Sequence, residues 1–309
     1  MIRFEGVAKR YGSLEALRDV TFTVPKGQVL GLLGQNGAGK TTLMNILTGC
    51  LSPSRGTVQA GGFDIMTQPR QAKRLMGYLP EHAPLYDEMT VKAYLRFVCE
   101  LKEVEKRAIP GHVDAVAEKT GITGVLGRKI GNLSKGYRQR VGVAQALCGS
   151  PEIMILDEPT SGLDPRQSSE MRVLIQALAG EHTLIFSSHI LGEVQAVCGR
   201  VIILHHGKII CDQSLEALRR GEKRLRARIA GGEGALLPAL SGLRCVVSAA
   251  AERGGEPGIT QALLTVRGEQ DQAERELFSL LAKMNAPLLY LSPVEDSLED
   301  VFLRATTEA

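Results

Sequence analysis

A chain of 309 residues is long enough for about two domains of ordinary size. With 44% hydrophobic and 23% charged residues, the composition is globular rather than disordered. The net charge of +3 is too small to imply nucleic acid by itself, and no apolar run approaches the roughly 18 residues that a membrane span needs.

The start, Met1 to Glu5, lacks the basic-then-apolar pattern of a leader, so a cytoplasmic chain is expected. Ile2 to Val7 and Val20 to Val24 alternate like half-buried strands, with a turn at Pro25-Lys26-Gly27. Gln28 to Leu33 is a buried strand ended by Gly34, and Lys40 to Leu51 reads as a helix. Further buried strands are expected at Leu75 to Leu79, Ile153 to Leu156, Thr183 to Ser187 and Val201 to His205. Strands separated by helical stretches imply a mainly parallel sheet. Residues 88–149 carry no strand signal and read as an inserted helical subdomain, with helices at Val91 to Lys102 and His112 to Lys119.

The first 217 residues therefore form one domain, and residues 218–309 a second. In the second, strands are expected at Arg224 to Ile229, Arg244 to Ser248, Thr260 to Val266 and Leu288 to Leu291. Helices are expected near Ala235 to Leu240, at Gln270 to Met284 and at Val294 to Ala305, with a polar loop from Ala251 to Gly258. That order is β-α-β-β-α-β, the ferredoxin-like arrangement of an α+β domain. The stretch Arg219 to Arg228 holds six basic residues against one acid. It suits either a solvated strand face or attraction to anionic lipid headgroups.

Gly34-Gln35-Asn36-Gly37-Ala38-Gly39-Lys40-Thr41 fits G-x-x-x-x-G-K-[ST] in full, with a strand before it and a helix after it. Glycines let successive backbone N–H groups turn inward around phosphate oxygens. The helix that follows presents its positive end to the same anion. Lys40 can reach the β- and γ-phosphates, and the Thr41 hydroxyl can ligate Mg²⁺. Thr42 completes this set of candidate ATP ligands. Ile153 to Leu156 then ends in Asp157 and Glu158. Asp157 is placed to hold Mg²⁺ and Glu158 to polarise the attacking water.

Leu133-Ser134-Lys135-Gly136-Tyr137-Arg138-Gln139-Arg140, shortly before Asp157, resembles the L-S-x-G-x-x-Q signature of ABC-type ATPases. Ser134 is a good helix N-cap, and Gly136 permits close backbone approach. The resemblance implies a P-loop ABC ATPase core and adds roles in this family's order. Tyr11 is the expected adenine-stacking aromatic, Glu81 a nucleotide-site residue and Mg²⁺ ligand, and Asp164 part of the loop that crosses to a partner. Ser134, Gly136 and Gln139 are expected to face nucleotide, and His189 to contact the γ-phosphate. Glu81 departs from the usual Gln, and it accepts hydrogen bonds where an amide also donates. Tyr78 to Glu81 and Ser297 to Leu303 resemble the ATPases of ABC-2-type exporters, and the string through Pro84-Leu85-Tyr86, with Leu133 to Gly142, resembles gliding-motility-associated subunits.

What the resemblance implies is a head-to-tail dimer of two copies sandwiching ATP. One chain carries one set of motifs, and the signature must come from the partner. An integral membrane permease is the other expected partner, gripped by the helical subdomain and the loop Glu81 to Met89. The chain would then sit peripherally on the inner face of the cell membrane, with no nucleic acid partner. The alternative is a soluble ABC ATPase of translation or DNA maintenance, but such proteins carry two cassettes, long heptad insertions or zinc cysteines. Here Cys50, Cys99, Cys148, Cys198, Cys211 and Cys245 are scattered, which predicts buried free thiols rather than a zinc site. The absence of Trp and 4% aromatic content also weaken any stacking platform for nucleic acid.

Overall fold

A computed structural model describes residues 1–216, 223–252, 258–267 and 270–294. They fall into two units, Met1–Leu215 and a second that begins at Glu216.

Alternation builds the first layer. β1 (Ile2–Tyr11) and β2 (Leu14–Val24) pair antiparallel, with Ile2, Phe4, Val7, Leu17, Val20, Phe22 and Val24 buried. Phe4 stacks on Phe22 at 4.5 Å. β3 (Val29–Leu33) is shielded on both faces, as the apolar run requires. It delivers the phosphate loop to α1 (Lys40–Leu47). α1 stops short of the expected Leu51 because the chain turns: Gly49 sits at φ +66°, and the Cys50 and Leu51 amides both donate to the Asn45 carbonyl. β4 (Arg55–Ala60) and β5 (Phe63–Asp64) complete a sheet of order β2-β1-β4-β5.

α2 (Pro69–Arg74) leads into β6 (Met76–Leu79), and three helices follow: α3 (Val91–Leu101), α4 (Ile109–Thr120) and α5 (Lys135–Leu147). Thr90 caps α3 by accepting from the Ala93 amide. The remaining elements of this unit are β7 (Ile153–Asp157), α6 (Pro165–Ala179), β8 (Thr183–Ser188), α7 (Leu191–Val197), β9 (Arg200–His205) and β10 (Lys208–Ser214). They form a six-stranded sheet of order β10-β9-β3-β8-β7-β6, parallel except for β10 at one edge. The tips of β3, β7 and β8 are therefore neighbours, which positions the site.

The second unit comprises β11 (Lys223–Ala230), α8 (Glu233–Ser241), β12 (Val246–Ala251), β13 (Ile259–Val266), α9 (Gln270–Lys283) and β14 (Leu288–Val294). Its antiparallel order, β12-β13-β11-β14, is the ferredoxin-like one. Leu225, Ala227 and Ile229 of β11 face a core with Leu236, Leu240, Leu277 and Leu281. Arg224, Arg226 and Arg228 alternate onto the other face, where Arg226 grips Glu252 through both carboxylate oxygens at 2.7 and 2.8 Å. β12 starts two residues later than expected, because the Val246 amide closes a turn onto the Leu243 carbonyl. The expected helix at 294–305 begins on Val294, which instead closes β14, and its remainder lies outside the described residues. So do Ser297 to Leu303, Arg219 and Arg220, and residues 253–257 of the expected polar loop.

Candidate active site

The phosphate loop turns on two glycines at positive φ, Gly37 at +81° and Gly39 at +109°. Gly39 has a second constraint, since a Cβ there would lie 2.8 Å from the Ala16 carbonyl. Lys40 is buried, and its ammonium donates to the Gly34 carbonyl at 2.6 Å. It also lies 3.5 Å from the Glu158 carboxylate.

β7 ends at the two carboxylates, and the parallel register with β8 sets Asp157 opposite Ser187. The Ser187 hydroxyl donates to Asp157 Oδ1 at 2.5 Å, and its oxygen accepts the Glu158 amide at 2.9 Å. One serine thus orients both acids. Asp157 is fully buried, and its Oδ2 has no hydrogen-bond partner. Burial pushes its carboxyl above the usual range, against the Ser187 hydrogen bond, and the charges of Glu158 and Glu81 add to the rise. Glu158 occupies the left-handed region at φ +48°, a strained setting for a non-glycine residue. Its Oε2 lies 2.7 Å from His189 Nδ1.

These groups meet in a cavity of about 570 Å³. Tyr11, Gln35, Asn36, Gly37, Gly39, Lys40, Thr41, Thr42, Glu81, Glu158 and His189 all line it. Gly34 and Ala38 do not; they support the loop from behind, where a Cβ on Gly34 would sit 2.6 Å from the Leu204 carbonyl. Ser134 and Gly136 line a different cleft, with Tyr137, Arg140 and Gln167. Ser134 caps α5, as expected. Asp164 caps α6, accepting from the Gln167 amide at 2.8 Å. Arg138 and Arg140 are paired, with Asp87 and Glu170.

Gln139 stands apart from Ser134 and Gly136 and does not line their cleft. Its side chain is buried, and its amide nitrogen has no partner. It shares the inner face of α5 with the buried Gly142, Val143 and Ala146, one helical turn and more along. The residue exposed beside Ser134 and Gly136 is Tyr137, 42% accessible.

Residues 17–161 match the family model described as ABC transporter. The ABC transporter ATP-binding protein NatA of Bacillus subtilis is 41% identical over 212 residues, covering 68% of this chain and 86% of NatA. This chain belongs to the ABC transporter ATP-binding proteins. The bacitracin transport ATP-binding protein BcrA of Bacillus licheniformis is 33% identical over 226 residues, covering 72% of this chain and 73% of BcrA. The solved structure of cbiO1 from Clostridium perfringens, part of the ABC transporter complex cbiONQ, superposes with a TM-score of 0.65 at 26% identity. It covers 70% of this chain and 89% of cbiO1. The chain is thus an ABC ATPase subunit of a transporter, and that reading stands over translation or DNA maintenance.

Sequence reasoning did not assign the support beneath this ABC ATPase site. Glu193, in the first turn of α7, is 3% exposed and accepts from the hydroxyls of Thr160 and Ser188, each at 2.7 Å. It ties the segment after Glu158 to the segment before His189. Both hydroxyls donate to the same oxygen, Oε2, so Glu193→Leu removes the acceptor of both. The kcat for ATP is expected to fall about tenfold or more, roughly 1.4 kcal/mol or above, the scale of buried hydrogen bonds lost. KM should stay within about twofold, because no contact to nucleotide is touched. A steady-state kcat and KM measurement checks this. A lowered melting temperature with unchanged kcat would reduce Glu193 to a structural role.

Proposed function

We propose that this ABC ATPase binds ATP with Mg²⁺ in the Lys40–Glu158–His189 cavity, hydrolyses it as a head-to-tail homodimer and drives an exporter-type permease. One observation carries the reading. The phosphate loop, Glu158 and His189 share one cavity, while Ser134 and Gly136 line another. Each chain is then half of two sites, and a second copy supplies Ser134 and Gly136 to the γ-phosphate. ATP acts as the adhesive between copies, and loss of the γ-phosphate loosens them.

Within the cavity, backbone N–H groups of Gly37 to Thr41 and the α1 N-terminus receive the phosphates. Lys40 exchanges Glu158 for phosphate oxygens, which frees the carboxylate for water. Glu158 takes the water proton as general base, and its strained backbone holds it at the cavity wall. His189 Nδ1 faces Glu158 Oε2, and with protons on both nitrogens the ring donates to Glu158 and, through Nε2–H, to the reacting phosphate. Tyr11, 47% exposed at the cavity rim, offers a face to adenine. Asp164 lies in the segment that reaches the second copy. The donor set suits Mg²⁺: the buried Asp157 Oδ2 has no partner just behind Glu158, and Thr41 and Glu81 line the cavity that Glu158 faces. Bound Mg²⁺ neutralises charge on the β- and γ-phosphates.

Among the described residues no helix is long and apolar enough to cross a membrane; in this reading an integral membrane permease holds the subunit at the membrane. A groove of about 670 Å³ between α2, the 81–89 loop and α3 fits its cytoplasmic helix. Arg70, Lys73, Pro84, Tyr86, Phe97 and Leu101 line it, and the Tyr86 ring packs 5.7 and 5.8 Å from those of Tyr94 and Phe97. Leu85, half-buried, does not line it. An exporter is favoured because BcrA bears a bacitracin transport name.

Leu101→Glu places a charge in this groove at a site 67% exposed, where folding tolerates it. Recovery with the co-expressed permease should fall about tenfold, and ATP affinity of the isolated chain should not change. Undiminished co-purification would sink the docking assignment. Recovery of the chain with ribosomes or DNA alone would sink the permease reading.

A further inference from the structure

Cys99, His112 and Cys148 are far apart in the chain yet meet inside the helical region. Cys99 lies on α3, His112 on α4, and Cys148 ends α5. One ligand atom of each lies within 4.8 Å of the other two. Both cysteines are fully buried and His112 is half-buried. Around a Zn²⁺ ion, with Zn–S of about 2.3 Å and Zn–N of about 2.0–2.1 Å, neighbouring ligand atoms lie roughly 3.4–3.8 Å apart. The three groups, within 4.8 Å of one another, thus need to close by no more than roughly 1.4 Å.

The chemistry around them suits a soft cation. The neighbouring Cys99 thiol and then burial push Cys148 above its ordinary value, while the Cys148 thiol draws Cys99 below its own. Burial lowers His112, so its imidazole is neutral near pH 7 and able to ligate. Its Nε2 accepts the Gly149 amide at 3.0 Å, a bond that coordination through this nitrogen would replace. The Cys148 thiol donates to the Ala144 carbonyl at 3.4 Å, and deprotonation would release that contact. The Lys102 ammonium, anchored on the Met76 carbonyl at 2.6 Å, favours thiolate at Cys148. A solitary buried cysteine is an ordinary small hydrophobe. Two thiols and an imidazole converging from three helices form a ligand set.

We propose that Cys99, His112 and Cys148 form a site for a thiophilic divalent cation of the Zn²⁺ type, separate from the nucleotide cavity. The two thiol protons pass to solvent as the thiolates bind, and water completes a tetrahedron. The ion pins α3, α4 and the end of α5 together. α3 and α5 also present Tyr94 and Gln145 to the groove, so metal stiffens that wall.

The test uses the full chain, reduced and stripped of metal, titrated with Co²⁺ as probe. A stoichiometric thiolate-to-cobalt absorption band with the visible bands of tetrahedral cobalt is expected, both displaced by Zn²⁺. Co²⁺ held only by carboxylates gives no thiolate band, so the Mg²⁺ residues cannot mimic the result. Cys99→Ala, Cys148→Ala and His112→Gln should each weaken cobalt binding by about a hundredfold or more. Cys50→Ala, at the surface, should leave it unchanged. Because the buried cysteine variants can fail to fold, cadmium NMR of the unaltered chain is the second readout, expected in the mixed thiolate–imidazole range. No thiolate band in the unaltered chain, bands that persist in folded Cys99→Ala or Cys148→Ala, or a cadmium shift typical of oxygen ligands overturns the proposal.

Discussion

Glu158→Gln is expected to lower kcat for ATP hydrolysis by about 10²–10⁴-fold, or roughly 3–5 kcal/mol, while ATP still binds. The geometry gives the reason. Glu158 lies 3.5 Å from Lys40 and 2.7 Å from His189 Nδ1, so it meets both the lysine of the phosphate loop and the histidine. An amide keeps the shape and still accepts from His189, but it cannot take a proton from water. It also removes the anion that competes for Lys40, so ATP affinity should hold or rise. With binding intact and turnover lost, ATP persists between two copies. The variant should run as a dimer with ATP and a monomer without it, read by size-exclusion chromatography with light scattering. Hydrolysis at the parent rate would remove Glu158 from the role of base. Loss of hydrolysis without an ATP-dependent dimer would leave the base in place and sink the sandwich.

Gly77→Val is expected to destabilise the first unit by about 3 kcal/mol or more, at the upper end for overpacking. Gly77 lies in β6, and a Cβ there would sit 1.9 Å from the Ala146 carbonyl of α5. That obstacle is backbone, with no flexible tip to swing aside. Strand and helix must part, and α5 carries Ser134 and Gly136 at its start. Thermal unfolding should show a large drop, and any folded fraction should lose ATP-dependent dimerisation before it loses ATP binding. A melting temperature near that of the parent would show that α5 shifts freely over the sheet.

Much of this was legible in the residues. The strands β3, β7, β8 and β9 are short apolar runs, and a central parallel strand has no alternative reading once helices separate the runs. The ferredoxin-like unit was legible because β11 and β13 alternate onto one buried face. Other elements were obscured. α6 buries Met171, Leu174, Ile175 and Leu178 at helical spacing, but its first turns are polar and follow a proline. β10 is an edge strand with no buried residue, so nothing apolar marks it. Burial of Gln139 was not legible, because a signature read as a string does not say which residues face inward; a helical turn does.

What the sequence determined alone is the chemistry of the phosphate loop. Its backbone N–H groups, its lysine and the helix start are contiguous, so their geometry is local. The acidic pair after an apolar run is local in the same way. Only the tertiary structure decided the convergences. Parallel register places Ser187 beside Asp157 and Glu158, and helix packing brings Glu193 under Thr160 and Ser188. The same packing brings Cys99, His112 and Cys148 together, although their spacing along the chain gives no metal signature. Each is a distance between residues remote in sequence, and such distances exist only once strands pair and helices pack. Length and composition allowed a globular chain; the folded tips of β3, β7 and β8 gather Lys40, Glu158 and His189 at one cavity.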